Sequence, residues 1–205
     1  MLTATGAVQR FDRRLDLLGR APDLVRLDGD DVFATADATP LFLAAAGDYV
    51  RTTGDRGLVT GAEDFWCKTV FALRGIYEPD GRNGSAMDTL GHVLASGRRG
   101  TWLDGDPSRG GSERRGAIAE GQGALYRALR TATAFAEIMG VSQRSSASWY
   151  ADTAGVLVRQ FQDEFVRDGL VVDQLRGDAR RPGGLLALAL LDGLPPAERG
   201  QLARA

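Results

Sequence analysis

The chain has 205 residues, 43% of them hydrophobic and 25% charged, with a net charge of −2, which suits one globular domain with a sizeable core. That balance gives no electrostatic case for nucleic acid or an anionic membrane surface. No apolar run reaches a membrane span, and the N-terminus lacks the apolar core of a signal peptide. A single cysteine, Cys67, excludes an internal disulfide framework and points to a reducing, cytoplasmic compartment. The single histidine, His92, excludes a multi-histidine metal site.

In chain order the apolar spacing is mostly helical. "TGAVQRFDRRLDLLG" predicts a first helix. "ADATPLFLAAAGDYVRTTGD" predicts the next, with Asp37 or Thr39 as its cap, Pro40 in its first turn and Gly54 as its stop. A short "GDRGLVT" link leads to "GAEDFWCKTVFALRGIY", so these two helices are expected to be antiparallel neighbours, with Cys67 in the core. The segment "GRNGSAMDTLGHVLASGRRGTWLDGD" has turn residues around short β-like pieces ("SAM", "HVLAS") and no helical stripe. "AEGQGALYRALRTATAFAEIMG" carries a stripe of Leu125, Leu129, Ala132, Phe135 and Met139, with Gly140 as its cap. "SASWYADTAGVLVRQFQDEFVRDG" repeats apolar residues at three and four, with Gly169 read as the stop. "GLVVDQLRGD" reads as a strand-like bridge, and "PGGLLALALLD" and "PAERGQLARA" as final helices. Helix, short turn, helix, then a long loop is the rhythm of stacked αα-hairpins whose long loops gather on one face.

The residues that could carry chemistry sit in those loops and at the helix starts that follow them. Trp102 and Asp104 in "GTWLDG" suit sugar chemistry. An indole face packs on a pyranose, and a carboxylic acid protonates the leaving glycosidic oxygen. The blander reading is a tryptophan anchoring a loop and an aspartate closing a turn. Glu120 opens a helix, where the macrodipole alone accounts for a carboxylate. The two glycines of "EGQG", however, weaken that first turn and leave room for a ligand or another backbone. Asp37 and Asp88 read as capping and turn residues, Arg114 and Arg115 as solvated charges able to hold nearby carboxylates, and His92 as structural. A rim of Asp37, Asp88, Asp104 and Glu120 with a tryptophan, lacking metal-ligand spacing or a phosphate loop, points to carbohydrate.

Four segments in order, "DDVFATADATPLFLAAAGDYVRTTGD", "GTWLDG", "RRGAIAEGQGALYRALRTATAFAEIMG" and "RRPGGLLALAL", resemble the glucosidase domain of glycogen debranching enzymes, the amylo-α-1,6-glucosidases. That family has a "VDAT" segment opening a helix, a "TWMDA"-like loop, "RGKPVEINALWYNAL", and "RPNQ" before an apolar helix. The resemblance runs from about Pro22 to Leu190. It implies an all-α, six-hairpin (α/α)6 toroid with the active site at its loop-rich end, and hydrolysis of α-1,6-glucosidic branch linkages with inversion. It implies Asp104 as the general acid and Asp37, Trp102, Glu120 and Gln122 as substrate-binding residues, with no metal and no cofactor. The partner it implies is an α-glucan or oligosaccharide.

The departures are "GAIAEGQGAL" for "GKPVEINALW", which puts Leu125 where the family has tryptophan, and "RPGG" for "RPNQ". About seven helices are expected against the twelve of six hairpins, so residues 1–205 read as a single, partial toroid domain. Inverting hydrolysis needs a base about 6.5–9.5 Å from the acid, and the segment that supplies it in the family lies beyond the match. The chain is therefore expected to hold the acid half alone, to be weakly active or inactive, and to self-associate through its terminal hairpins. Two alternatives stay open: a related toroid glycosidase acting on trehalose, maltooligosaccharides or another small glycoside, and a non-catalytic helical binding or scaffold protein.

Overall fold

The computed structural model describes residues 15, 20–22, 35–61, 65–77, 85–87, 91–95, 101, 114, 116–177 and 182–204. Within them the chain forms α1 (Ala38–Thr53), α2 (Gly57–Thr60) and α3 (Phe65–Tyr77). The short strands β1 (Ser85–Met87), β2 (Val93–Ala95) and β3 (Gly116–Ala117) come next. Then follow α4 (Ala119–Met139), a 3-10 turn (Val141–Gln143), α5 (Arg144–Phe165), β4 (Val166–Arg167), β5 (Leu170–Val171), α6 (Pro182–Leu190) and α7 (Pro196–Arg204). The first helix expected from the sequence lies outside the described residues. The β-like pieces form an antiparallel sheet in the order β1-β2-β3.

Helix α4 is the axle. Fifteen of its 21 residues are buried, from Ala119 to Ala136, so a single apolar stripe understates it. The reason is side-chain size. Gly121, Gly123, Ala124, Ala128, Thr131 and Ala132 cover the faces between the large residues, and small side chains let three helices approach at once. Helices α1, α5 and α6 all pack on α4. A Cβ at Gly123 would stand 2.9 Å from the Cα of Ala187 on α6. The glycines of "EGQG" thus admit another backbone at Gly123, whereas a Cβ at Gly121 would meet only the Ile118 side chain. Contacts from Glu120 to Gly183, Gly123 to Ala187 and Tyr126 to Gly193 advance together along both segments. Helices α4 and α6 therefore run parallel, with their starts at one end.

Helix α5 folds back from α4 through the Gly140–Gln143 turn and buries Tyr150, Ala154, Leu157, Phe161 and Phe165. Trp149 and Val156, on the expected stripe, are instead about half exposed, at 49% and 43%. Two local expectations are corrected. Gly169 does not stop α5, which ends at Phe165. Asp168 and Gly169, with φ of 52° and 73°, form the two-residue loop of a hairpin pairing Val166 with Val171, the conformation that Asp-Gly favours. Asp37 occupies the cap position of α1, but its side chain makes no capping hydrogen bond, and the Thr39 hydroxyl accepts from the backbone N–H of Ala21 instead (2.9 Å). Gly54 does end α1, at φ 71°. No helix among the described residues is long and apolar enough to cross a membrane.

Gly123→Ala is expected to cost about 1–3 kcal/mol by pushing α6 off α4. Gly155→Ala on α5, where a Cβ meets only an arginine tip at 3.7 Å, is expected to gain about 0.5–1 kcal/mol. Urea denaturation of the two variants beside the parent chain measures the contrast.

Candidate functional site

The approach to α4 is held by a short backbone pairing. The strand segment after β5 runs beside the approach to α4. Ala119 N–H donates to the carbonyl of Asp173 (3.0 Å), Leu175 N–H donates to that of Ala117 (3.0 Å), and Ile118 bridges Gln174. This pairing delivers Asp173 to the first turn of α4, where Glu120 sits. Between the two carboxylates lies Arg114. Its Nη1 donates to Asp173 Oδ1 at 2.9 Å, and its Nη2 donates to Thr101 Oγ1 at 2.7 Å and lies 2.5 Å from Glu120 Oε1. The fractional exposures are 2% for Arg114, 1% for Glu120 and Thr101, and 0% for Asp173. The sequence reading of Arg114 as a solvated charge is corrected here, and its capacity to hold carboxylates is what the structure uses.

Gly183, in the first turn of α6, lies directly against this group. A Cβ there would stand 2.6 Å from Glu120 Oε2 and 2.9 Å from Asp173 Oδ1, so the carboxylates occupy the space a side chain would need. Burial raises the pKa of Glu120 above the usual carboxylate range. Arg114 acts in the opposite direction, and the charge of Asp173 adds to the rise.

Of the residues predicted from the sequence, Glu120 lies in this cluster. Gln122, 1% exposed, turns its amide back onto the carbonyl of Ile118 (3.2 Å). Asp37, also 1% exposed, stands at the start of α1, which packs on α4. Trp102, Asp104 and Asp88 lie outside the described residues. His92 is buried, with Nε2 2.9 Å from Glu164 Oε2 and its ring edge-on to Phe165, and Cys67 packs against the core. Asp173 and Thr101 went unread in the sequence. The available signal for Asp173 was an aspartate directly after the apolar run "GLVV", where a strand would bury it.

A cleft of about 570 Å³ opens further along α1 and α4, lined among others by Gly47, Arg51, Arg127, Arg130, Thr131 and Asp192. Neither Asp37 nor Glu120 lines it. Arg127 there is paired to both Asp48 and Asp192, and Tyr126 donates to Asp192 (2.8 Å). This cleft is therefore a different place from the buried charge cluster. Among the described residues no three of His, Cys, Asp and Glu gather as metal ligands would.

Arg114→Met is expected to cost about 3–5 kcal/mol, because it strands two buried carboxylates. Glu120→Gln tests the raised pKa through pH dependence, since its amide oxygen can still accept from Arg114. A carboxyl with a raised folded pKa takes up a proton on folding. Its contribution to stability is whole below about pH 4.3 and is lost as pH rises through the folded value. Urea midpoints across that window should fall less steeply for Glu120→Gln than for the parent, by up to about 1.4 kcal/mol per pH unit.

Residues 3–201 match the profile of a family described as amylo-alpha-1,6-glucosidase. Among solved structures the chain is similar to a rhamnosidase from Klebsiella oxytoca with rhamnose bound, at a TM-score of 0.66 and 20% identity. The alignment covers 96% of this chain and 36% of that one, so the chain spans about a third of that neighbour's length. At this identity the likeness is one of fold, that of the (α/α)6 toroid glycosidases. No curated protein matches the chain. With the family profile spanning nearly its whole length and its helices forming an arc of that toroid, the chain belongs to the amylo-α-1,6-glucosidase family of glycoside hydrolases.

Proposed function

We propose that the chain acts in hydrolysis of α-1,6-glucosidic branch linkages in glycogen or a related α-glucan, with inversion at the anomeric carbon. Asp104 is the proposed general acid, and Trp102 the proposed platform for the sugar ring. The observation that carries this reading is a meeting of motifs. Thr101 of "GTWLDG" and Glu120 of "AEGQG" are far apart in sequence and meet one buried guanidinium, and Gly183 of "RRPGG" lies against the Glu120 and Asp173 carboxylates beside it. Segments that resemble the family's site motifs thus meet at the end where α4 and α6 begin, which supports a site carried on that scaffold.

The burial of Asp37, Glu120 and Gln122 refines the roles first given to them. Groups at 1% exposure support the site from behind more readily than they meet a sugar arriving from solvent. Asp104 has to hold its proton near neutral pH to act as an acid, which requires a pKa above the free value of about 3.9. Burial and a neighbouring carboxylate are the usual means.

A second reading, a toroid glycosidase for another small glycoside, draws support from Gly183 and Gly184. Glu120, Asp173 and Val171 press on the two glycines, so the family's "NQ" pair has no room at this place, and the pocket chemistry differs accordingly. Glucose release from a branched limit dextrin, with α-glucoside and α-rhamnoside chromogens run in parallel, separates the two. Weak release from the dextrin, abolished by Asp104→Asn and giving β-glucose first, is the expected result. Robust release that Asp104→Asn leaves intact would overturn the role of that aspartate. Turnover confined to another glycoside would favour the second reading.

A further inference from the structure

We propose that Arg114 is a positioning residue, tying Thr101, the residue that precedes Trp102 and stands three positions before Asp104, to the first turn of α4 and to the segment after β5. Its bearing on catalysis rests on the reading of Asp104 as the acid. The anchor itself does not, and it can be tested without substrate.

The geometry favours an anchor over a sugar ligand. Arg114, Thr101, Glu120 and Asp173 are each 2% exposed or less, so none of them presents a polar atom to an incoming saccharide. The guanidinium instead spends its two terminal nitrogens on three partners from three segments. A planar fork of donors can do this, whereas an ammonium supplies a point charge on a flexible stem. Two of the partners are fixed by secondary structure. Glu120 lies in the first turn of α4, and Asp173 is held by the backbone pairing to Ala119. Thr101 is the third, held through its hydroxyl. Asp104 is three positions on, so its backbone lies within about 11 Å of that of Thr101 at full extension. Misplacing a catalytic group by an ångström costs about a hundredfold in rate, which is the reason to fix the chain near such a group with a charged hydrogen bond.

The test uses the full chain labelled with 5-fluorotryptophan. Its three indoles, Trp66, Trp102 and Trp149, give separate fluorine resonances, and Trp102→Phe identifies one of them. Trp66 and Trp149, on α3 and α5, are internal controls. Thr101→Val removes the acceptor and leaves Arg114 with both carboxylates. It should shift the Trp102 resonance and enlarge its solvent isotope shift, with the other two resonances unmoved. Thr101→Ser, which restores the hydroxyl, should return the parent spectrum, and Arg114→Lys should resemble Thr101→Val. An unchanged Trp102 resonance in Thr101→Val would overturn the proposal. So would equal movement of all three resonances, which marks a global loosening. Isomaltose added to the parent chain reports on the glycoside reading separately. If the sugar leaves Trp102 unmoved while Thr101→Val still shifts it, the anchor stands and the sugar-binding reading fails.

Discussion

A guanidinium with almost no contact with water has to be compensated where it stands, and the loop end of this protein is arranged around that requirement. An isolated buried cation costs several kcal/mol after relaxation. Arg114 meets two carboxylates and a hydroxyl within 2.9 Å. One cation between two carboxylates leaves an excess of negative charge in a dry place. Two features offset it. Glu120 lies in the first turn of α4, at the positive end of the helix dipole. Burial also raises the pKa of Glu120, so holding a proton costs it less than it would in water. The cluster is thus a balance among burial, dipole and pairing. Each partner comes from a different segment, so the balance fixes those segments relative to one another.

The second constraint is crowding around α4. The helix touches α1, α5 and α6, which leaves almost no face for polar side chains. Where charge does occur further along it, it is again shared between elements, as Arg127 pairs with Asp48 of α1 and with Asp192 beyond α6. Helices α1 and α4 are therefore tied to each other and to the segment after α6 by these half-buried ions, and α4 is tied to α1 and α6 by small residues. Gly47, whose Cβ would fall 2.2 Å from the Thr131 hydroxyl, marks the α1 contact as Gly123 marks the α6 contact. Such an arc is stiff, and a stiff scaffold is what a functional site needs.

The elements legible in the sequence were those whose signals are local. The helical stripes, the stop at Gly54 and the β-like "SAM" and "HVLAS" pieces rest on periodicity and backbone preference, which neighbours in sequence decide. The reading failed where tertiary context decides. Arg114 looked solvated because nothing near it in the chain explains burial, and its partners lie at positions 101, 120 and 173. Gly169 reads locally as a helix stop because the α5 pattern runs into it. Pairing of Val166 with Val171 overrides that pattern and turns Asp168-Gly169 into a hairpin loop. Of the candidate site, Glu120 was legible as a carboxylate at a helix start, but its charge partners were not. The neighbours of Asp173, "GLVV" before and "Q" after, speak for a strand and say nothing of an arginine.

The departures from the family pattern make physical sense together. Leu125, where the family has tryptophan, is fully buried in the core, so the position contributes packing and no aromatic platform. Gly183 and Gly184, where the family has Asn and Gln, lie against Glu120, Asp173 and Val171. An amide side chain at Gly183 would collide with the carboxylates that Arg114 holds, and one at Gly184 would press on Val171, so glycine is the residue these neighbours permit. The two glycines thus stand for close packing beside a buried ion cluster, and Leu125 for packing in the apolar core. Under the proposed function, discrimination among sugars falls to residues outside the cluster, with Trp102 the proposed platform, because the clustered groups are enclosed and already committed to one another.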